Sequence, residues 1–372
     1  MSLKDCLASA VAQGAMTSRQ ADEIHRIYEA RFRQKRGSMN ETEAMAAARD
    51  ELVSELQAGA RQAKRQVYLQ EAARKEIADF IQNHRDLKGR QNMLDAALSL
   101  MIHNGYKGVS SMEGRYQAIV SLAHSQLSGA MEHFARTKLS GRYSNTVDLP
   151  DLVRALHGEA TDNAAAKEMA GVISGVFEDL RVRFNDAGGN IGKLDDFGLP
   201  HSHDKERIRA LGGTGRNAFG RKRVDIDVAR ARWKQFIRPL LDVDRMVNPQ
   251  TGAPVGPAGI DEALDHVFDG IVSSDFAHLR PSAQRMGKGK LASQRQEQRF
   301  LHFKSADDWL MYNEAFGNAD PISTIFDHIN AMARDIAAME RFGPNPDATI
   351  EWMKQAIQHD IGLRQAGRKS AG

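Results

Sequence analysis

Apolar positions recur at three- and four-residue spacings through most of the chain, the period of a helix buried along one face. In "SRQADEIHRIYEARF" the stripe is Ala21, Ile24, Ile27, Tyr28 and Phe32. The next segment opens with Asn40 as a cap and Glu43 three residues on, then runs past forty residues without proline. Gly59 alone interrupts it, so the pattern predicts one long helix or a pair broken there. Another helix is expected at about 91–103, ended by "HNGYKG". The next starts at Ser110 or Ser111, with Met112, Tyr116, Ile119, Ala123, Leu127, Met131 and Phe134 on one face. "DLPDLVRALHG" supplies Asp148 as cap and Pro150 in the first turn, and about 163–185 forms one more helix.

The pattern changes at "NDAGGNIGKLDDFGLPHSHD", where Gly188, Gly189, Gly192, Gly198 and Pro200 crowd together. This reads as a loop and a domain boundary, dividing a long-helix N-terminal domain (1–187) from a C-terminal domain (188–372). Helices resume at about 226–241 and 260–273, separated by the turn-rich "NPQTGAPVGPAG". "RFLHF", Arg299 to Phe303, is the best strand candidate, with a partner expected near Val224 to Ile226. Asp320 and Pro321 then start a helix with the stripe Ile322, Ile325, Ile329, Met332, Ile336 and Met339. His328 falls on its polar side and is expected at the surface. Gly343 and Pro344 end that helix, and Pro346 opens the last one. The fold class expected is mainly α: an elongated multi-helix N-terminal part and a helical C-terminal domain with at most a small β-hairpin.

Composition agrees with helices. Apolar residues make up 41% of the 372 residues and charged ones 27%, enough for a real core, while aromatics reach only 6%. Cys6 is the single cysteine, which excludes an intrachain disulfide and a thiolate zinc site. No run of eighteen apolar residues is present, so no membrane-spanning helix is expected. The opening "MSLKDCLASAVAQGAM" reads as an amphipathic helix and not as a signal peptide, and a reducing compartment is expected.

Charge is uneven although the net is only +3. Lys205 to Lys234 holds ten Lys/Arg against three Asp/Glu, and Arg280 to Lys304 seven against one, whereas Ser305 to the end holds six against ten. Basic loops at 205–234 and 280–304 therefore offer a surface for a polyanion, through Arg216, Arg221, Lys222, Arg223, Arg285, Lys288, Lys290 and Arg295. Stacking aromatics are scarce there, so only non-specific contact with DNA is implied. The competing reading is two solvated basic loops.

Candidate chemistry concentrates in "FGLPHSHDKERI". His201, His203 and Asp204, with His302, could supply part of a hydrolytic metal centre, since histidines two apart converge on an extended segment. The competing reading makes Ser202 or Asp204 the cap of a helix "KERIRAL", with the histidines at its mouth. "GNIGKL" and "GGTGRN" do not match a phosphate-binding loop, and no nucleophile elbow is present. No cofactor is implied.

"FGLPHSHD", the Trp233–Phe236 helix, "RFLHFKSADDWLMYNEAFG" and "DPISTIFDHINAMARDIAAMERFGPNP" together form a distinctive set. Over about 190–350 this set resembles a segment of large phage and prophage proteins described as internal virion, DNA-transfer or ejection proteins. The chain departs from them in being short. The resemblance implies a helical, non-enzymatic structural protein of the capsid interior, made in the host cytoplasm, that assembles with itself or with other virion proteins. It transfers no catalytic residues. Trp233, Phe236, Trp309, Tyr312 and Phe316 are expected to fill the core beside this set, at about 2 kcal/mol or more each when fully buried. A metal-dependent, phosphodiesterase-like hydrolase built on the histidine cluster is the alternative.

Overall fold

A computed structural model describes residues 3–86, 88–102, 110–134, 147–193, 198–216, 222–246, 255–273 and 301–370. The protein is mainly α. Its helices are α1 (Leu3–Ala12), α2 (Ser18–Lys35), α3 (Glu41–Asn83), α4 (Met93–Met101), α5 (Met112–Phe134), α6 (Leu149–Leu156) and α7 (Ala164–Asp186). After α8 (Lys205–Ala210) a hairpin of β1 (Thr214–Arg216) and β2 (Lys222–Val224) intervenes. There follow α9 (Ile226–Ile237), α10 (Gly256–Ser273), α11 (Ala306–Phe316), α12 (Pro321–Phe342) and α13 (Pro346–Ser370).

The long helix α3 is continuous through Gly59. Asn40 Oδ1 accepts the Glu43 N–H at 2.9 Å and satisfies one of the free donors of its first turn. The N-terminal end of α3 packs on α2 around Tyr28, Ala48 and Leu52. Its C-terminal end meets α4, α12 and α13 around Ile77, Ile81, Leu100, Phe342 and Met353. Between these ends, Gln62, Gln66 and Gln70, one turn apart, fasten α3 to the rest. Gln62 and Gln66 donate to the Gly188 carbonyl at 3.1 and 2.9 Å, and Gln70 donates to the Phe342 carbonyl at 3.0 Å. These carbonyls close α7 and α12, where helix geometry leaves acceptors without partners.

The largest core lies among α5, α7 and α12, and continues through α6 and α11 to α8, α9 and α10. It takes side chains from both sides of Gly188, from Ile119 to Met339. Glu340 on α12 accepts from Arg183 on α7 at 2.6 Å and from Arg115 on α5 at 3.2 Å, tying these three helices at one end.

Three expectations need correction. Val224 pairs with Thr214 in the antiparallel hairpin and not, among the described residues, with 301–303. Within the described residues, Phe303 forms an isolated bridge to Leu241. The cause is Pro239, which ends α9 in a 3-10 turn (Arg238–Leu240) and leaves Leu241 extended, so that Asp242 N–H meets the His302 carbonyl at 2.8 Å. Asp148 does precede α6, but its side chain makes no capping bond. His328 is half-buried on α12, with its ring edge-on to Phe177 at 4.7 Å between centroids. No helix among the described residues is long and apolar enough to cross a membrane.

Candidate functional site

Three of the motif pieces, "FGLPHSHD", the Trp233–Phe236 helix and "RFLHFKSADDWLMYNEAFG", meet at one place. Gly198 has φ +57, a left-handed conformation that costs other residues about 1–2 kcal/mol. A Cβ there would stand 2.5 Å from the His157 ring, so glycine is also required by the close approach. Leu199 is buried and Pro200 keeps the chain extended into His201.

The backbone from Ser202 to Asp204 is then sewn to the end of α11. Asp204 N–H donates to the Phe316 carbonyl at 2.6 Å, Asn318 Nδ2 donates to the His203 carbonyl at 2.9 Å, and Asn318 N–H donates to Ser202 Oγ at 3.0 Å. Asp204 itself caps α8. Its Oδ1 accepts the N–H groups of Glu206 and Arg207 at 3.0 and 3.1 Å, and its Oδ2 lies 3.3 Å from Arg207 Nε.

The two imidazoles point to different partners. His201 Nε2 donates to the Leu301 carbonyl at 2.9 Å, and its ring stands edge-on to Phe303 at 5.1 Å. Its Nδ1 is buried without a hydrogen-bond partner. His203 Nδ1 bonds the Tyr312 hydroxyl at 2.9 Å, and the indole Nε1 of Trp233 donates to the same hydroxyl at 3.1 Å. Trp233, Trp309, Tyr312 and Phe316 are buried, while Phe236 is partly buried and edge-on to Phe316 at 5.1 Å.

Burial holds both histidines neutral. It lowers His201 to about 4, an effect reinforced by His157 and His302 and opposed by the Leu301 carbonyl. It lowers His203 to about 3, with His201 adding to the effect. Burial also raises the Tyr312 phenol, against the smaller effect of Trp233.

The rings of His201 and His203 are 6.4 Å apart and tilted by 45°. His201, His203, Asp204 and His302 do not assemble into a ligand set: among the described residues no group of three or more His, Cys, Asp or Glu is placed to hold a metal ion. The Asp204 carboxylate is occupied by its own helix. As built, the cluster is a hydrogen-bonded packing centre.

The basic tract 205–234 is also largely engaged. Arg230 and Lys234 on α9, and Arg238 just past its end, follow one another a turn apart and face Asp269, Asp265 and Asp261 on antiparallel α10. The contacts run Arg230–Asp269 at 2.6 Å, Lys234–Asp265 at 2.9 Å and Arg238–Asp261 at 3.0 Å. Arg232 donates to the Leu211 carbonyl at 2.7 Å. This ladder was missed in the sequence, although the four-residue repeat of opposite charges in two neighbouring helices is its signal. Of the residues expected to meet a polyanion, Arg216, Lys222 and Arg223 lie on the hairpin with only their backbone described. Arg221, Arg285, Lys288, Lys290 and Arg295 lie outside the described residues.

No protein-family model, curated protein or solved structure matches the chain.

Proposed function

We propose that the protein acts through its surfaces and not through bond-breaking, as a helical structural protein of the phage virion interior. In this role it assembles with copies of itself or with other ejection proteins, is made in the host cytoplasm, and meets DNA non-specifically through its basic loops. The observation that carries the non-enzymatic reading is the use of His201 and His203. Both imidazoles are held neutral, one against a backbone carbonyl and one against Tyr312, while Asp204 caps a helix. The virion assignment is supported by the resemblance of the motif set over about 190–350. Its pieces are mutually dependent, since "HSHD" is bonded to the "FGN" at the end of α11.

The test is sedimentation of the purified full chain together with DNA retention across a salt series. Self-association, and retention at low salt that weakens as salt rises, are expected. A strict monomer indifferent to DNA at low salt would overturn the reading. Metal analysis of protein prepared without a histidine tag gives a separate check. One equivalent of bound zinc or manganese, lost on His203→Ala, would contradict the non-enzymatic assignment.

A further inference from the structure

The two ends of α3 are anchored separately, and the span between them is bare. On the N-terminal side, Tyr28, Ala48 and Leu52 form a core with Leu3, Ile24, Ile27 and Phe32 packed against it. Lys35 and Arg31 on α2 pair with Glu51 and Glu55 on α3, so these contacts close within residues 3–55. On the other side the first ties are those of Gln62, Arg65 and Gln66 to carbonyls of 185–189, and the core around Ile77 and Ile81 follows. Every residue from Val53 to Arg61 is exposed, the apolar Leu56 included. Among the described residues, 56–61 are thus held by the backbone bonds of the helix, over roughly 9 Å.

A helix in water without a packed face is marginal, and glycine weakens it further. Gly59 stands inside this span with no steric reason to be there. It has ordinary helical geometry, and a Cβ placed on it would meet nothing within 4 Å. Alanine would fit the position and favour the helix. Gly129, Gly171 and Gly175 are equally free of contact, but they lie on α5 and α7, whose other faces are buried in the largest core. The ion pairs one turn apart that stiffen a lone helix, Glu71–Arg74 and Lys75–Asp79, lie beyond the span. An interior break normally carries a penalty of about a thousandfold, because each half must be nucleated again. Here each half has its own core, so a break near Gly59 leaves both standing.

We infer that α3, although continuous, belongs to two cooperative units, and that residues 56–61 are a hinge at which an N-terminal arm (3–55) opens or turns without disturbing the body. The body keeps the junction of His203, Tyr312 and Trp233 intact while the arm moves. Units of this kind open independently within one folded chain, and their amide hydrogens exchange at separate rates. The inference goes beyond the function proposed above. Its evidence is confined to the contacts of α3 and does not depend on the virion assignment.

Native-state hydrogen exchange of the full chain, read by mass spectrometry, provides the test. Amides of 60–63, which bond the carbonyls of 56–59, are expected to exchange at least about tenfold faster than those of 77–81. Leu52→Ala opens a cavity in the arm and is expected to speed exchange at 41–52 by about thirtyfold or more, with 66–81 changed by less than about twofold. Should that variant unfold the arm outright, protection kept at 66–81 supports the inference equally. Gly59→Ala is expected to slow exchange at 60–63 about fivefold, and Gly175→Ala to leave it unchanged. Equal exchange at 60–63 and 77–81, protection lost at 66–81 in Leu52→Ala, or exchange at 60–63 unaltered by Gly59→Ala would overturn the inference.

Discussion

His203 Nδ1 lies 2.9 Å from the Tyr312 hydroxyl, and the second bond to that hydroxyl fixes its direction. The Trp233 indole only donates, so the phenol oxygen accepts from Trp233 and its O–H points at His203. Among the described residues that O–H has no other acceptor, so the neutral His203 ring is assigned as accepting at Nδ1 and carrying its proton on Nε2. The relationship joins α9, α11 and the 198–204 segment through one buried hydroxyl.

Tyr312→Phe tests that junction. The substitution keeps the ring but leaves the Trp233 N–H and the His203 Nδ1 without partners, and each orphaned buried group costs about 1–3 kcal/mol. A loss of at least about 2 kcal/mol is expected in urea unfolding. A loss under about 0.5 kcal/mol would mean that water replaces the hydroxyl and that the bond is not structural.

The pH dependence follows from the same neutrality. Folding lowers His201 to about 4 and His203 to about 3, from an ordinary value of 6.5. The unfolded chain thus binds more protons, and the contribution is complete above about pH 6.5, then lost as pH falls towards 4 and 3. Near pH 5 unfolding takes up about two protons from this pair, a slope of roughly 2.7 kcal/mol per pH unit. His203→Gln preserves an acceptor for Tyr312 and removes one titrating group. Its stability, measured by urea titration from pH 7 to 4.5, should vary with a slope shallower by about one proton. Identical slopes would show that His203 titrates normally in the folded protein.

Much of the architecture was legible because helix periodicity and capping are local. Asn40, Asn163 and Asp320 each stand where the pattern starts a helix, and each accepts backbone N–H groups there. The long-range pairings were less accessible. Phe303 bridges Leu241 because Pro239 turns the chain out of α9, and no periodicity in "RFLHF" carries that information. The local charge count misled in a related way. It treated Arg230 and Lys234 as available, while their partners lie some thirty to forty residues away in sequence, on a helix that packs antiparallel. In "HSHD", sequence offered Ser202 or Asp204 as a helix cap and the structure selects Asp204, but the link from His203 to Tyr312, 109 residues on, was not legible.

Gly198→Ala tests whether the entrance to this segment is as constrained as its geometry requires. Alanine at φ +57 is strained by about 1–2 kcal/mol, and its Cβ would stand 2.5 Å from His157 Nε2. The His157 ring cannot yield freely, because its Nδ1 bonds the Val153 carbonyl at 2.8 Å and it rests beside Trp309. The expected loss is about 2 kcal/mol or more, with a fall in melting temperature seen by calorimetry. Gly198→Ala combined with His157→Ala should recover part of that loss, since the second change clears the clash and leaves only the backbone strain. If the double variant were as unstable as the sum of the two single ones, the ring contact would carry none of the constraint.

The ladder between α9 and α10 makes a last prediction, in which screening sets the magnitude. Arg230 is three-quarters buried along its side chain, reaches Asp269 at 2.6 Å, and lays its guanidinium 4.9 Å from the Phe268 ring centre. Asp269 remains nearly half-exposed, so solvent weakens the Coulomb attraction. A double-mutant cycle of Arg230→Ala and Asp269→Ala should give a coupling of about 0.5–1 kcal/mol at low salt, shrinking at 1 M salt where the screening length falls to about 3 Å. Arg230→Ala alone should cost more than Asp269→Ala, because it also removes the contact with Phe268 and the approach to Asp265 at 3.7 Å. Equal single losses with no salt dependence would show that α9 and α10 are held by Trp233, Leu264 and Phe268 alone, with the charges incidental.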